Sequence, residues 1–160
     1  MGRALRILVC GDVCSGCRAC EVACVAHHEG RFGTATARIH VTKIEPLGVA
    51  QPHVCRQCRH APCVASCPAG ALYIDDAMGT ILLSAEACIG CSACVDACPF
   101  GVATLHPETG LALICDLCGG DPSCVKRCAT GAIVYAGTGA GARARRKKLT
   151  LQVNAEPCAE

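Results

Sequence analysis

Large side chains are what this 160-residue sequence has least of. It contains no tryptophan, and its aromatic residues are Phe32, Phe100, Tyr73 and Tyr135 alone. A core anchored on buried aromatic area is thereby excluded. Long apolar runs are missing too: nothing approaches the roughly 18 consecutive apolar residues that a spanning helix needs. The opening stretch, MGRALRILVCGD, has a short apolar segment broken by Arg6 and no adjacent arginine pair. It lacks the pattern of a secretory leader, so the expected location is cytoplasmic. There is no Ser–His–Asp set, no phosphate-cradling glycine loop and no flavin fingerprint. An independent catalytic centre is therefore not expected.

What the chain has in abundance is cysteine, 18 residues of it, together with 17 glycines. The hydrophobic fraction of 52% is inflated by cysteine and alanine and does not describe a conventional core. Small domains short of core volume need disulfides or metals. In a reducing compartment thiols serve as metal ligands more often than as disulfides.

The cysteines fall into four groups. Cys14, Cys17, Cys20 and Cys24 follow C-x2-C-x2-C-x3-C. Cys55, Cys58, Cys63 and Cys67 have a widened second gap and precede Pro68. Cys88, Cys91, Cys94 and Cys98 repeat the first spacing and precede Pro99. Cys115, Cys118, Cys124 and Cys128 have the widest second gap. Only Cys10 and Cys158 stand outside. Three thiolates on a tight loop can wrap one face of an iron–sulfur cube, and the fourth is expected to open a short helix facing a neighbouring cube. The third group reproduces the ferredoxin run, with its terminal proline, in which the fourth cysteine serves a second cluster. Structural zinc sites combine two separated pairs, often with histidine, and do not call for a third cysteine three residues on. A zinc-stabilised interaction module is the remote alternative. The sixteen grouped cysteines are thus expected to ligate iron in four [4Fe–4S] clusters, and each cluster with its thiolates would carry −2. Four would move the formal charge from +2 to about −6, which removes any argument for nucleic acid from the apo charge.

Between the groups a weak repeat runs: CPAGALY from Cys67, CPFGVAT from Cys98 and CATGAIV from Cys128. Each has glycine three residues after the cysteine and then an apolar stretch that reads as a strand. Hairpins are expected from Leu72–Asp75 with Thr80–Leu83 and from Val102–Leu105 with Leu111–Ile114. Arg38–Ile44 and Leu5–Cys10 read as further strands. The fold class is α+β, with short strands and one-turn helices around the clusters. His27 and His28 read as surface groups or neighbours of a ligand, and His60 as either a cluster neighbour or a solvated loop residue. Asp116 and Asp121 read as turn residues, and Cys10 as a small buried hydrophobe.

Over nearly its whole length the sequence resembles the four-cluster iron–sulfur subunits of molybdenum and tungsten oxidoreductases. Related hydrogenase, formate and carbon-monoxide systems carry similar subunits. The resemblance rests on the order and spacing of the groups and on CRQC…APCVASCPAGAL followed by CIGCSACVDACPFG. CRACEVACVAHHEGRFG and CDLCGGDPSCVKRCATGAI look most like the small subunit of tungsten aldehyde oxidoreductase complexes. Val25 and Ala129 depart from it, standing where ferredoxins have proline.

The resemblance implies two intimately joined dicluster modules with nested ligation. Cys14, Cys17 and Cys20 would share a cluster with Cys128, and Cys115, Cys118 and Cys124 with Cys24. The inner pair would be Cys55, Cys58 and Cys63 with Cys98, and Cys88, Cys91 and Cys94 with Cys67. Sequential pairing is the alternative. On this reading residues 1–136 form the four-cluster domain, with an inner module of about 50–105 and an outer module from 1–49 plus 106–136. The implied function is electron relay between a large catalytic oxidoreductase subunit, favoured as a tungsten or molybdenum aldehyde oxidoreductase, and a second redox subunit or soluble acceptor. A free polyferredoxin carrier is the competing reading. Residues 137–160 hold a glycine-rich linker, a basic run from Arg143 to Lys148, and the alternating Leu149, Leu151 and Val153. They read as a solvated tail or as a docking arm for the partner or for self-association.

Overall fold

The computed structural model describes residues 5–137. The extension expected to form a tail or arm, Cys158 included, lies outside the described residues apart from Gly137.

Among the described residues, four antiparallel two-stranded ribbons, four α-helices and three short 3-10 turns make up an α+β fold. Strand β1 (Leu5–Val9) pairs with the last strand, β8 (Ile133–Gly137), in the register Leu5↔Gly137 to Val9↔Ile133. The next backbone bond, from the Cys10 N–H to the Ala132 carbonyl at 2.7 Å, extends this closure. β2 (Ile39–Ile44) pairs with β3 (Val49–Val54), β4 (Leu72–Ile74) with β5 (Ile81–Leu83), and β6 (Thr104–Leu105) with β7 (Ala112–Leu113). The two expected hairpins thus form, shortened at their ends. β3 was hidden from sequence reading by Pro52, which cannot donate to a ladder. It is tolerated because a two-stranded ribbon has open edges on both sides. Val41, opposite Pro52 in register, gives its N–H to the Glu21 carboxylate at 2.6 Å.

The helices are α1 (Ala19–Glu29), α2 (Pro62–Ala65), α3 (Ala93–Asp96) and α4 (Ser123–Arg127). Two expectations need correction here. First, the fourth cysteine of a group does not open a helix. The third lies inside it, and the N–H of Cys67, Cys98 or Cys128 closes its last turn on Val64, Val95 or Val125, each at 3.2 Å. The chain then turns at once, with Gly70, Gly101 and Gly131 bonding back to the fourth cysteine's carbonyl. Those glycines sit at φ near +60° to +69°, which explains glycine three residues on in every repeat. Second, α1 is not a one-turn helix. It has 11 residues, because Val25 and the residues after it offer no proline or glycine until Gly30, and Cys24 sits mid-helix one turn beyond Cys20.

α1 packs against α4, and α2 against α3. The core between them is aliphatic and sulfur-rich: Ile7, Val25, Ile39, Leu72, Ile81, Leu117 and Ile133 surround the buried cysteines. Phe32, Phe100 and Tyr73 are exposed. Among the described residues no helix is long and apolar enough to cross a membrane.

Candidate metal centres

The sixteen grouped cysteines carry free thiols, and the fold sorts them by space rather than by sequence. Cys14, Cys17 and Cys20 line one cavity with Cys128. Cys115, Cys118 and Cys124 line another with Cys24, and Cys88, Cys91 and Cys94 a third with Cys67. Cys55, Cys58, Cys63 and Cys98 are the fourth set: burial first, and then the nearby Cys63, Cys58 and Cys98, push the Cys55 thiol up to about 12. Each set therefore gathers three thiols of one sequence group and the last of another. The closure of β1 on β8 is the cause for the outer sets, since Cys14 follows β1 and Cys128 precedes β8. The α2–α3 packing does the same for the inner ones.

Neighbouring sets touch electrostatically in a single order. Cys63 acts on Cys94, Cys55 on Cys115, and Cys20 on Cys124. Cys91 and Cys17, one in each end set, are exposed; in the middle sets Cys55, Cys115 and Cys124 are buried and Cys58, Cys98 and Cys118 half-buried.

Fitness for an iron–sulfur cube follows from the donors. Each set offers four soft sulfur ligands, the set that such clusters require. Burial pushes Cys20 up to about 11 and Cys124 up to about 12. A buried thiolate is thus unfavourable without a cation beside it, and a metal supplies that charge. Backbone N–H groups point at sulfur as well. The Gln57 N–H is 3.4 Å from Cys55 Sγ, and the Arg38 N–H is 3.3 Å from Cys24 Sγ. The N–H of Ala19 leads the causes holding Cys17 below the ordinary thiol range. That of Leu72 does the same for Cys67.

Three polar residues at the centres escaped sequence reading as more than local features. Gln57, buried and at φ +50°, donates from Nε2 to the Cys115 carbonyl at 2.6 Å. It accepts the Ile81 N–H at Oε1, 2.9 Å away. It thereby ties the second group to the fourth. Replacing it by leucine leaves a buried carbonyl and a buried N–H unpaired, at roughly 1–3 kcal/mol each. We expect the thermal midpoint of loaded Gln57→Leu to fall by roughly 5–15 °C, read at one scan rate against the parent chain. A midpoint within a degree or two of the parent's would show that the strap carries no weight. Glu21 is fully buried and is satisfied by Arg18, 2.8 Å away, and by Val41. Asp116 does more than turn the chain. One oxygen accepts the Cys118 N–H at 3.0 Å and the other accepts from Arg38 at 2.7 Å.

The histidines separate. His28 Nε2 lies 3.8 Å from Cys118 Sγ and 3.5 Å from Asp116. Burial first, then the Arg38 charge, hold its pKa below the ordinary value. His27 is exposed and contacts Ser123 Oγ at 3.1 Å. Their ring nitrogens and Cys118 Sγ lie within 4.8 Å of one another, but Cys118 already has its three cysteine companions. His60 is exposed, as a solvated loop residue would be. Asp121 pairs with Lys126 on the surface. Cys10 is buried at the end of β1.

Residues 48–138 match the model of the 4Fe-4S dicluster domain family. The polyferredoxin-like subunit of aliphatic sulfonate oxidoreductase from Pyrococcus furiosus is 47% identical over 122 residues, 76% of this chain and 70% of that protein. The thiosulfate reductase electron transfer subunit of Salmonella typhi is 37% identical over 135 residues, again 76% of this chain and 70% of its own. The electron transport protein HydN of Escherichia coli K12 is 35% identical, covering 80% of this chain and 85% of its own. Among solved structures, a chain of the active-site complex BamBC of benzoyl-coenzyme A reductase, with 1,5-dienoyl-CoA, superposes with a TM-score of 0.50. It is 28% identical, over 82% of this chain and 75% of that one.

Proposed function

This chain belongs to the 4Fe-4S dicluster family, and from that membership we propose that it relays electrons through four [4Fe–4S] clusters between a catalytic oxidoreductase subunit and a second redox partner. Its relatives include a polyferredoxin-like subunit of one oxidoreductase and an electron transfer subunit of another. The observation that carries the reading is the gathering of sixteen thiols into four sets in one spatial order. The ligands would be Cys88, Cys91, Cys94 with Cys67; Cys55, Cys58, Cys63 with Cys98; Cys115, Cys118, Cys124 with Cys24; and Cys14, Cys17, Cys20 with Cys128. Bound there, each cluster supplies a one-electron centre.

The chain's own part is to space the centres, aim N–H groups at sulfur and leave an exposed thiol in the two end sets only. These are levers on potential as well as on stability. Electrons would enter and leave near the exposed Cys91 and Cys17. The favoured catalytic partner is a tungsten or molybdenum aldehyde oxidoreductase, on the resemblance carried by the first and fourth groups. The sulfonate oxidoreductase, thiosulfate reductase and benzoyl-CoA reductase named among its relatives support the broader reading of a subunit within a larger reductase or oxidase.

Anaerobic purification of the native assembly tests this. The expected result is a large partner containing tungsten or molybdenum, and about 16 irons on the separated chain. Neither metal in the assembly would exclude the favoured partner. A chain that purifies loaded but alone would favour the diffusible carrier, and a colourless zinc-bearing chain would remove the iron–sulfur reading.

A further inference from the structure

The cavity lined by Cys24, Cys115, Cys118 and Cys124 differs in what else faces it from the cavities of Cys67, Cys88, Cys91 and Cys94 and of Cys14, Cys17, Cys20 and Cys128. Arg38 and His28 also line it. No charged side chain lines the cavity of Cys67, Cys88, Cys91 and Cys94. In the cavity of Cys14, Cys17, Cys20 and Cys128 the guanidinium present, Arg18, is neutralised by the fully buried Glu21 at 2.8 Å.

Arg38 touches a thiol of the set and a carboxylate beside it. Its backbone N–H donates to Cys24 Sγ at 3.3 Å. Its guanidinium reaches Asp116, 78 residues away in sequence, at 2.7 Å. The second Asp116 oxygen holds the Cys118 N–H, so carboxylate and guanidinium are both fixed against ligand-bearing backbone. The pair is largely shielded, with side-chain exposures of 22% and 28%, and the Arg38 Nε is buried without a hydrogen-bond partner. A surface ion pair would find water for that group. Charges so placed are screened much less than surface ones.

We propose that Arg38 and Asp116 form an opposed charge pair that sets the reduction potential of the cluster held by Cys24, Cys115, Cys118 and Cys124. Reduction adds negative charge to the cluster. The guanidinium therefore raises the potential, and the carboxylate beside it holds that effect in check. The inference rests on the proposed ligation of this set, and Arg38 and Asp116 are positioning residues that never bind iron themselves.

The test is a redox titration of the loaded full-length chain followed by electron paramagnetic resonance, at about pH 8.5, where the His28 imidazole is uncharged. For one of the clusters, Arg38→Gln should lower the reduced-to-oxidised ratio at fixed poise by about tenfold, a fall of about 59 mV for a one-electron couple. Asp116→Asn should move the same cluster the other way. The double variant should return towards the parent, and Arg38→Lys, which keeps the charge, should stay near it. A merely structural pair would not give opposite signs. The proposal is overturned if iron content is intact and the signal does not move, or if both single variants move it in one direction. If Asp116→Asn sheds iron, the contrast of Arg38→Gln with Arg38→Lys still decides. Loss of the cluster in both Arg38 variants makes Arg38 a structural clamp and overturns the tuning role. A parent chain with no iron–sulfur signal at all would instead remove the proposed function.

Discussion

Removal of iron from the loaded chain by an anaerobic chelator is expected to abolish its cooperative thermal transition and most of its far-ultraviolet circular dichroism. The reason lies in what the core is made of. Seven of its buried members are cysteines, namely Cys20, Cys24, Cys55, Cys63, Cys94, Cys115 and Cys124. The largest fully buried side chains are Ile39, Ile81, Leu117, Glu21, Val25 and Thr80, with no aromatic among them and two of them polar. Helices of four or five residues such as α2, α3 and α4 cannot persist on propensity alone. Where a site is absent from the unfolded chain, metal affinity becomes folding free energy, on the order of 10 kcal/mol for one structural zinc.

The pH dependence has two signs. Iron needs thiolate, so chelator-driven cluster loss should quicken as pH falls and protons compete for sulfur. In any compact cluster-free chain the thiols of Cys20, Cys55 and Cys124 are raised from 9.0 to about 11 or 12. Their stabilisation is full below pH 9 and is lost as pH climbs through 11 to 12. A cluster-free chain that keeps its spectrum and melts cooperatively at neutral pH would overturn the central claim.

Pairs of alanine substitutions at the ligands should separate nested from sequential pairing. Cys24→Ala alone is expected to lower iron from about 16 to about 12 per chain. Combined with Cys118→Ala it should lower it no further, because both thiols serve one cluster. Combined with Cys17→Ala it should fall to about 8, because two clusters are then struck. Non-additivity of this kind is what shared membership of one unit produces. Sequential pairing, first group with second and third with fourth, would place Cys24 with Cys55, Cys58 and Cys63, so Cys24 with Cys118 would then also fall to about 8. Iron and protein assays on anaerobically purified variants suffice, provided the parent chain is counted alongside.

Much of the chain was legible because its instructions are short-range. C-x2-C-x2-C spacing folds a loop regardless of what lies beyond it. Glycine three residues after Cys67, Cys98 and Cys128 dictates a turn with positive φ, and the hairpins around Asp76–Gly79 and His106–Gly110 announce themselves in their turn residues. Even the length of α1 had a signal in Val25, where a proline would have stopped the helix. β3 was lost to Pro52, which argues against a strand until the open ribbon edge is seen.

Which fourth cysteine joins which three was a different matter. The sequence around Cys24 and Cys128 reads the same under nested and sequential pairing, and only resemblance preferred the former. The decision belongs to contacts between distant segments: β1 closing on β8, α1 packing on α4, and α2 on α3. Gln57, Glu21 and Asp116 look like ordinary loop and helix polar residues for the same reason, since Cys115 and Ile81, Val41 and Arg38, which they also bond, lie on other segments of the fold. The cysteine spacing by itself determined that this chain holds [4Fe–4S] clusters, because ligand loops are built from neighbouring residues. The order of the thiol sets, and the charge pair beside one of them, were decided by tertiary structure, because they depend on surfaces that meet only when the chain has closed.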